Sequence, residues 1–342
     1  MNEHYGIAKA PDGSEIKVPA SVADDTGTSF SADQLSEARC YYDDNGYVVI
    51  RNLVPQTMCD EVSKAFLKEV KPYKGFLYRQ SSSGVAEKHH FSVQGHMLNP
   101  IMNVQDLRDS DFKTFKDKSL ACCTYESVKS VSEALLGELP KIVQTMYFEG
   151  NPVTWAHQDT YYLDAEEIGG MLAMWLAIEG IQPGAGRFYV YPRSHKMDIS
   201  EHSPQIDIAY NHKRYKQLIL DVIAKAKLEC RAPALAAGDA LFWNSKTVHG
   251  SLDTTQRDCS RSSLTAQMIP ESQRLLQFQN RIKPLNVRRT NGVQIHYPKD
   301  QAKLHNRVVF FVESNFPRGF YAVKRLAIRS VVWWHNRASP RV

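Results

Sequence analysis

Long apolar runs are missing from this chain. No stretch of about 18 uninterrupted apolar residues occurs, and no basic patch followed by an apolar segment opens the N-terminus. A membrane span and a secretory leader are not expected. Cysteine is also scarce: six in 342 residues, with Cys122 and Cys123 adjacent and Cys40, Cys59, Cys230 and Cys259 isolated. Without C-x-x-C spacing or the density of a small secreted scaffold, a disulfide framework does not fit, and a reducing, cytoplasmic setting is expected. No repeat of fixed period is visible.

What is present is an ordinary globular composition, 43% hydrophobic and 23% charged, which supplies a sizeable core and argues against disorder. Barrel-like β folds often exceed the usual domain length. The chain is therefore read as one domain, 30–316, with a flexible leader at 1–29 and a basic tail at 317–342. The formal net charge of +5 is unevenly placed. From Arg281 onward thirteen Lys/Arg stand against Asp300 and Glu313, about +11, which leaves the preceding part near −6. The C-terminal region wants an anionic neighbour.

His157-Gln158-Asp159, answered later by His249-Gly250-Ser251 and then Arg261, is the most informative pattern. Residues 145–148 and 153–157 are rich in β-branched and aromatic side chains and read as strands around the turn signal Gly150-Asn151-Pro152. In an extended strand, side chains two apart share a face. His157 and Asp159 can then grip one metal ion while Gln158 faces away, and His249 completes the set. Two neutral imidazoles and one carboxylate leave half of an octahedral ion open, which suits Fe(II) that must also bind a co-substrate and dioxygen. Structural zinc would close its coordination sphere. An H-x-D triplet alone is cheap, and the competing reading is a strand-end histidine hydrogen-bonded to a neighbouring aspartate.

Four blocks in order resemble the phytanoyl-CoA dioxygenase-like family of Fe(II)- and 2-oxoglutarate-dependent oxygenases. They are residues 30–66, with Gly46-Tyr47-Val48-Val49-Ile50-Arg51; His157-Gln158-Asp159 with Tyr161; Met174-Trp175-Leu176-Ala177-Ile178 followed by residues 186–195; and Gly238-Asp239 through Trp243, with His249-Gly250-Ser251 and Arg261-Ser262-Ser263-Leu264. The resemblance implies a mainly β fold with flanking helices around a double-stranded β-helix, the jelly-roll or cupin-like core, holding metal at one open end. It implies Fe(II) on His157, Asp159 and His249, and O2 as oxidant. It also implies 2-oxoglutarate gripped at its distal carboxylate by Arg261 through a bidentate pair, with Ser251 sharing that carboxylate. Neither haem nor nucleotide belongs to that chemistry. Two positions depart from the family's pattern: Glu149 stands where many relatives carry a lysine near the co-substrate, and Arg193 replaces the glycine usual before Ser194-His195. Asp159 fills the position that chloride-transferring relatives leave open, which favours hydroxylation over halogenation. Desaturation, epimerisation and ring formation stay open.

Elsewhere the spacing predicts a helix from Ser31 to Asn45-Gly46, a strand at 47–50, and helices at 57–70 and 127–136. Strands follow within 142–178 and at 188–191, 240–243 and 264–268. Residues 73–120 mix Gly, Ser, Asn and Pro and read as an active-site cover, in which His89 and His90 either touch substrate or are solvated loop histidines. Residues 196–233 read as an inserted helical segment, 206–228, that packs without taking part in chemistry. Arg187 and Arg193 flank a strand near the metal-bearing end and are candidates for an anionic substrate group, with solvation as the alternative. Tyr161 or Tyr162 is a candidate to line the pocket, and Trp175 reads as core.

Residues 322–337 place Val323, Leu326, Ala327, Val331 and Trp334 at helical spacing beside Lys324, Arg325 and Arg329, an amphipathic tail. Such a tail suits an anionic membrane surface, or docks on the protein's own sheet; nucleic acid ranks last. The expected function is thus a hydroxylase of an anionic or lipid-linked substrate such as a lipopolysaccharide sugar acid, cytoplasmic and peripheral on the inner membrane face. The alternatives are a hydroxylase of a small natural product or amino acid, or a catalytically silent β-helix module whose tail recruits a membrane or partner.

Overall fold

The computed structural model describes residues 4–80, 86–197, 199, 212–324 and 326. The chain opens with a hairpin of β1 (Tyr5–Lys9) and β2 (Glu15–Pro19), then β3 (Phe30–Ser31), α1 (Leu35–Asn45) and β4 (Tyr47–Arg51). Helix α2 (Gln56–Ala65) runs into a π-helical turn at Phe66–Val70, followed by the short strands β5 (Leu77–Tyr78), β6 (Ala86–Glu87) and β7 (Ile101–Met102). Next come α3 (Asp109–Cys123), α4 (Glu126–Leu136), β8 (Pro140–Phe148), β9 (Leu163–Ala165), β10 (Leu172–Ala177), β11 (Phe188–Val190) and α5 (His212–Ala226). The last part adds β12 (Ala240–Asn244), β13 (His249–Ser251), β14 (Ser263–Pro270), β15 (Leu275–Gln277), β16 (Arg281–Lys283), β17 (Val287–Thr290), β18 (Val293–His296) and α6 (Leu304–Asn315).

Alternation in the central strands decides the layers. β10 pairs antiparallel with β12 on one side and β14 on the other. Its Leu172, Met174 and Leu176 enter a core shared with α1–α4, where Val62, Phe66, Phe115 and Val131 are buried. Ala173, Trp175 and Ala177 face the opposite way and meet Val190 of β11, with Phe188 packed against them. The main sheet runs β17-β18-β8-β14-β10-β12-β4-β3, with β7 also on β8, and the pair β11-β13 and the three strands β16-β15-β9 form smaller sheets. Helices cover one face of the main sheet and a second β layer covers the other, the mainly β jelly-roll arrangement. Full burial of a Val, Leu or Phe side chain contributes about 1.5–3 kcal/mol. β10, buried on both faces, therefore anchors the fold far more than β17, most of whose residues are exposed.

Several local expectations meet their residues directly. α1 ends at Gly46, which takes the left-handed conformation (φ 75°), and Trp175 is buried at 2% exposure. Three others need correction. The segment expected as a flexible leader carries fixed structure from residue 4 onward: Asp12-Gly13 turns a hairpin, with Gly13 at φ 85°, so that Val18 reaches a buried cluster and the Pro19 carbonyl accepts from Arg187. Within 73–120, residues 109–123 are helix α3, whose Phe112 and Phe115 belong to the core, so only the part before it is loop-like. Residues 153–157 form no strand, because Val153 sits at φ 56° and ends the extended run. The inserted helix spans His212–Ala226, and residues 200–211 lie outside the described part. Of the tail helix at 322–337, residues 322–324 and 326 are helical and the rest lie outside the described residues.

Candidate metal centre

His157 and His249 meet across a single antiparallel bridge in which each backbone N–H donates to the other's carbonyl at 3.0 Å. Their ring centroids stand 4.3 Å apart. Gln158 is extended (φ −112°, ψ 140°), so His157 and Asp159 point the same way although no regular strand carries them, and Asp159 opens a 3-10 turn. Asp159 Oδ1 lies 3.5 Å from His157 Nε2 and 3.6 Å from His249 Nε2, with all three donor atoms within 4.8 Å of one another. Ligands at right angles on bonds of about 2.1 Å stand roughly 3 Å apart, so small side-chain adjustments close this set on one ion.

The shell behind these donors is in place. His157 Nδ1 bonds the Trp155 carbonyl at 2.8 Å and His249 Nδ1 the Thr247 carbonyl at 2.9 Å. Nδ1 therefore carries the proton, and each Nε2 presents its lone pair to the centre. Burial pushes His249 down to about 4, which keeps it neutral and ready to ligate. Burial alone would raise Asp159, but His249, His157 and the Trp243 N–H outweigh it and hold the carboxyl below its ordinary value. Trp243 Nε1 donates to Asp159 Oδ2 at 3.0 Å, which turns Oδ1 towards the imidazoles. Phe188 stacks on His249 at 5.4 Å and 23° and touches Trp243 at 4.8 Å, so one side of the site is an aromatic wall.

Arg261 lies over the Phe148 ring at 5.4 Å and is only 2% exposed. Its Nε has no hydrogen-bond partner among the described residues, and burial pushes the guanidinium down to about 9. Burying a guanidinium without a full set of acceptors is costly, and a carboxylate is the group that relieves that cost best. The nearby hydroxyls differ in their hydrogen bonding. Ser251 Oγ donates to Asn151 Oδ1 at 2.9 Å and accepts the Thr154 N–H at 2.7 Å, so it is already engaged in the turn. Ser263 and Thr265 stand out instead. Their neighbours Leu264 and Ala266 enter the helix-side core, so these two face inward with Phe148 opposite Ser263, and both hydroxyls are buried without a partner among the described residues. The polar alternation Arg261, Ser263, Thr265, Gln267 through an otherwise apolar strand was the available signal.

The remaining candidates separate cleanly. Arg187 gives Nε and Nη2 to the Ile181 carbonyl and Nη1 to that of Pro19, which makes it a buried structural tie, not a substrate contact. Arg193 is exposed, pairs with Asp44 at 3.1 Å and has φ 67°, the conformation for which glycine is the ordinary choice. His89 bonds Arg79 and the Val70 carbonyl and is pushed down to about 4 by burial. His90 is exposed, and its backbone N–H donates to Asn99. Neither histidine has a described contact with the triad. Glu149 pairs with Lys71 at 2.5 Å and accepts the Met97 N–H. Tyr161 packs on Tyr215 at 5.0 Å, whereas Tyr162 meets His157 edge-on at 6.2 Å. Burial and the Asp159 charge push the Tyr162 phenol up to about 12. An open cleft of about 500 Å³ lined by Tyr41, Tyr47, Arg193, Lys227 and Arg231 includes no member of the triad.

Human phytanoyl-CoA dioxygenase, peroxisomal, is 25% identical over 228 residues, 63% of this chain and 62% of that protein, so the similarity spans less than two thirds of the relative. The crystal structure of the non-heme alpha ketoglutarate dependent carbocyclase SnoK from nogalamycin biosynthesis superposes with a TM-score of 0.51 at 17% identity, covering 72% of this chain and 89% of SnoK. EctD from S. alaskensis, with 2-oxoglutarate and 5-hydroxyectoine, gives 0.51 at 15% identity over 80% of this chain and 92% of EctD. Those two likenesses establish the fold. The phytanoyl-CoA dioxygenase (PhyH) family profile matches residues 42–263, and the chain belongs to that family.

Proposed function

We propose that the protein is an Fe(II)- and 2-oxoglutarate-dependent dioxygenase that hydroxylates an unactivated carbon of a small molecule. The observation that carries this is the convergence of His157, Asp159 and His249, with both Nδ1 atoms already bonded to backbone. Bound there, Fe(II) supplies dioxygen activation coupled to decarboxylation of 2-oxoglutarate to succinate. The chain's own residues do the rest. His157 and His249 offer neutral nitrogens, Asp159 offers one oriented oxygen, and Trp243 holds that carboxylate in place. Arg261 takes the distal carboxylate of the keto acid, with the hydroxyls of Ser263 and Thr265 beside it. Phe188 and Trp243 keep water from the His249 side. Asp159 occupies the position a halide would need, so hydroxylation is the reading kept.

An anionic or lipid-linked substrate draws support from the basic C-terminal region. On and just after α6, Leu304, Val308, Phe311 and Phe316 are exposed near Arg307, Arg318 and Lys324, a combination that suits a peripheral site on an anionic membrane. No helix among the described residues is long and apolar enough to cross one. All six cysteines are free, which agrees with a reducing compartment.

The test is anaerobic addition of Fe(II) to protein holding 2-oxoglutarate, followed by air and succinate measurement. Wild type is expected to give a broad visible band and then succinate, and Asp159→Ala neither, with circular dichroism unchanged. A folded wild-type protein that gives no band removes the proposal.

A further inference from the structure

We infer that α5 supplies an oxyanion-binding subsite of the substrate pocket, with Lys216 and His212 as the recognising groups and a carboxylate or phosphate as the group they take. This rests on the oxygenase reading of the triad and deepens it. The metal site is not equally closed on all sides: the His249 side chain is 4% exposed, whereas His157 and Asp159 are 12% and 14% exposed. Substrate therefore enters on the His157 side, and α5 borders that side.

The contacts are specific. The Trp155 ring stands 5.5 Å from the His157 ring, and the Lys216 ammonium lies over the same indole at 4.6 Å. His212 is 6.2 Å from Trp155 and 6.2 Å from Tyr162, which itself meets His157 at 6.2 Å. His212 and Lys216 are thus each one aromatic ring away from a metal ligand. The helix is fastened there: Tyr215, Ile219, Val222 and Ile223 are buried, and Tyr215 OH accepts the N–H of Gln158, the residue between the two ligands. His212 and Lys216 are exposed, and neither makes an ion pair among the described residues. The one acid of α5, Asp221, accepts from Gln217. An indole holds the ammonium by cation–π attraction without neutralising it, so the charge stays available to a ligand. A substrate tethered by its acid group at this rim would present a carbon at fixed reach from the iron, which is how binding energy becomes orientation.

The test titrates the full chain, anaerobic with Fe(II) and 2-oxoglutarate, with phenyl phosphate and with benzoate, following tryptophan fluorescence; benzyl alcohol is the neutral control. At least one anion is expected to bind saturably below about 10 mM, while the alcohol does not saturate in that range. The double variant His212→Ala, Lys216→Ala should weaken anion binding about tenfold or more, and Lys216→Arg should retain it. The iron and 2-oxoglutarate band should be the same in all of them. A protein that shows the band but binds neither anion, or binds them equally well in the double variant, overturns the subsite. Loss of the band in every protein, wild type included, overturns the metal reading and the subsite with it.

Discussion

Among the described residues, three arginines are almost wholly buried without an ion pair, and their donors decide what each is for. Every guanidinium nitrogen of Arg187 is engaged, by the Ile181 and Pro19 carbonyls, and every one of Arg79, by the Glu87 and Asn99 carbonyls, His89 and the Met97 sulfur. Arg261 keeps an unpartnered Nε, and the unpartnered hydroxyls of Ser263 and Thr265 follow it at alternate positions along the chain. Burying a guanidinium that way is tolerable only if a carboxylate arrives, so Arg261→Lys should raise the KM for 2-oxoglutarate about tenfold or more with a smaller change in kcat. Ser263→Ala should raise that KM several-fold. Ser251→Ala should leave it unchanged and instead lower stability by about 1 kcal/mol for each lost turn hydrogen bond, read by urea denaturation. The reverse pattern would restore Ser251 to the co-substrate. Trp243→Phe removes the N–H that orients Asp159 while keeping the aromatic wall. Iron affinity should fall about 10–100-fold, as calorimetry would show.

At the scale of elements, what could be read from the sequence is what depends on local chemistry. The apolar run of β10, the helix end at Asn45-Gly46 and the H-x-D spacing are each set by neighbours within a few residues, and they hold. What could not be read depends on distant partners. Nothing near Val153 marks it for φ 56°, nothing in residues 212–226 says that Tyr215 will bond the backbone of Gln158, and nothing before Glu15 says that Val18 will be buried. The leader shows the consequence most clearly. Asp25, with its side chain 3% exposed, accepts the N–H groups of Ala234 and Gly27 and pairs with Arg231, tying residues 1–29 to the segment before β12. Asp25→Ala should cost about 1–3 kcal/mol, because the part-buried N–H groups of Gly27 and Ala234 lose their acceptor and the half-exposed Arg231 loses its partner. The iron and 2-oxoglutarate band should survive, since the tie does not touch the triad. Loss of the band alongside the stability would mean that the leader shapes the site.

For the whole molecule, the charge asymmetry visible in the sequence has a structural seam at Asp106. This residue, 2% exposed, joins the segment before α3 to the basic C-terminal part: Oδ2 accepts the Lys299 N–H at 2.9 Å and its carbonyl accepts that of Gln301. Oδ1 has no partner among the described residues. Burial raises its pKa from 3.8 to about 7; the Lys299 N–H opposes this and Asp300 adds to it. The folded protein therefore holds this proton more tightly than the unfolded chain does. Stability from the group is complete below pH 3.8 and drains away as pH climbs to about 7, after which no more is lost. Asp106→Asn keeps an acceptor for the Lys299 N–H and carries no charge at any pH. Its advantage over wild type should grow by on the order of 2 kcal/mol between pH 5 and pH 8, then level off. Urea denaturation at several pH values across that range reads the difference directly. An advantage that stays constant with pH, or shrinks towards pH 8, would mean that Asp106 is already ionised in the folded protein and that the basic C-terminal residues neutralise it.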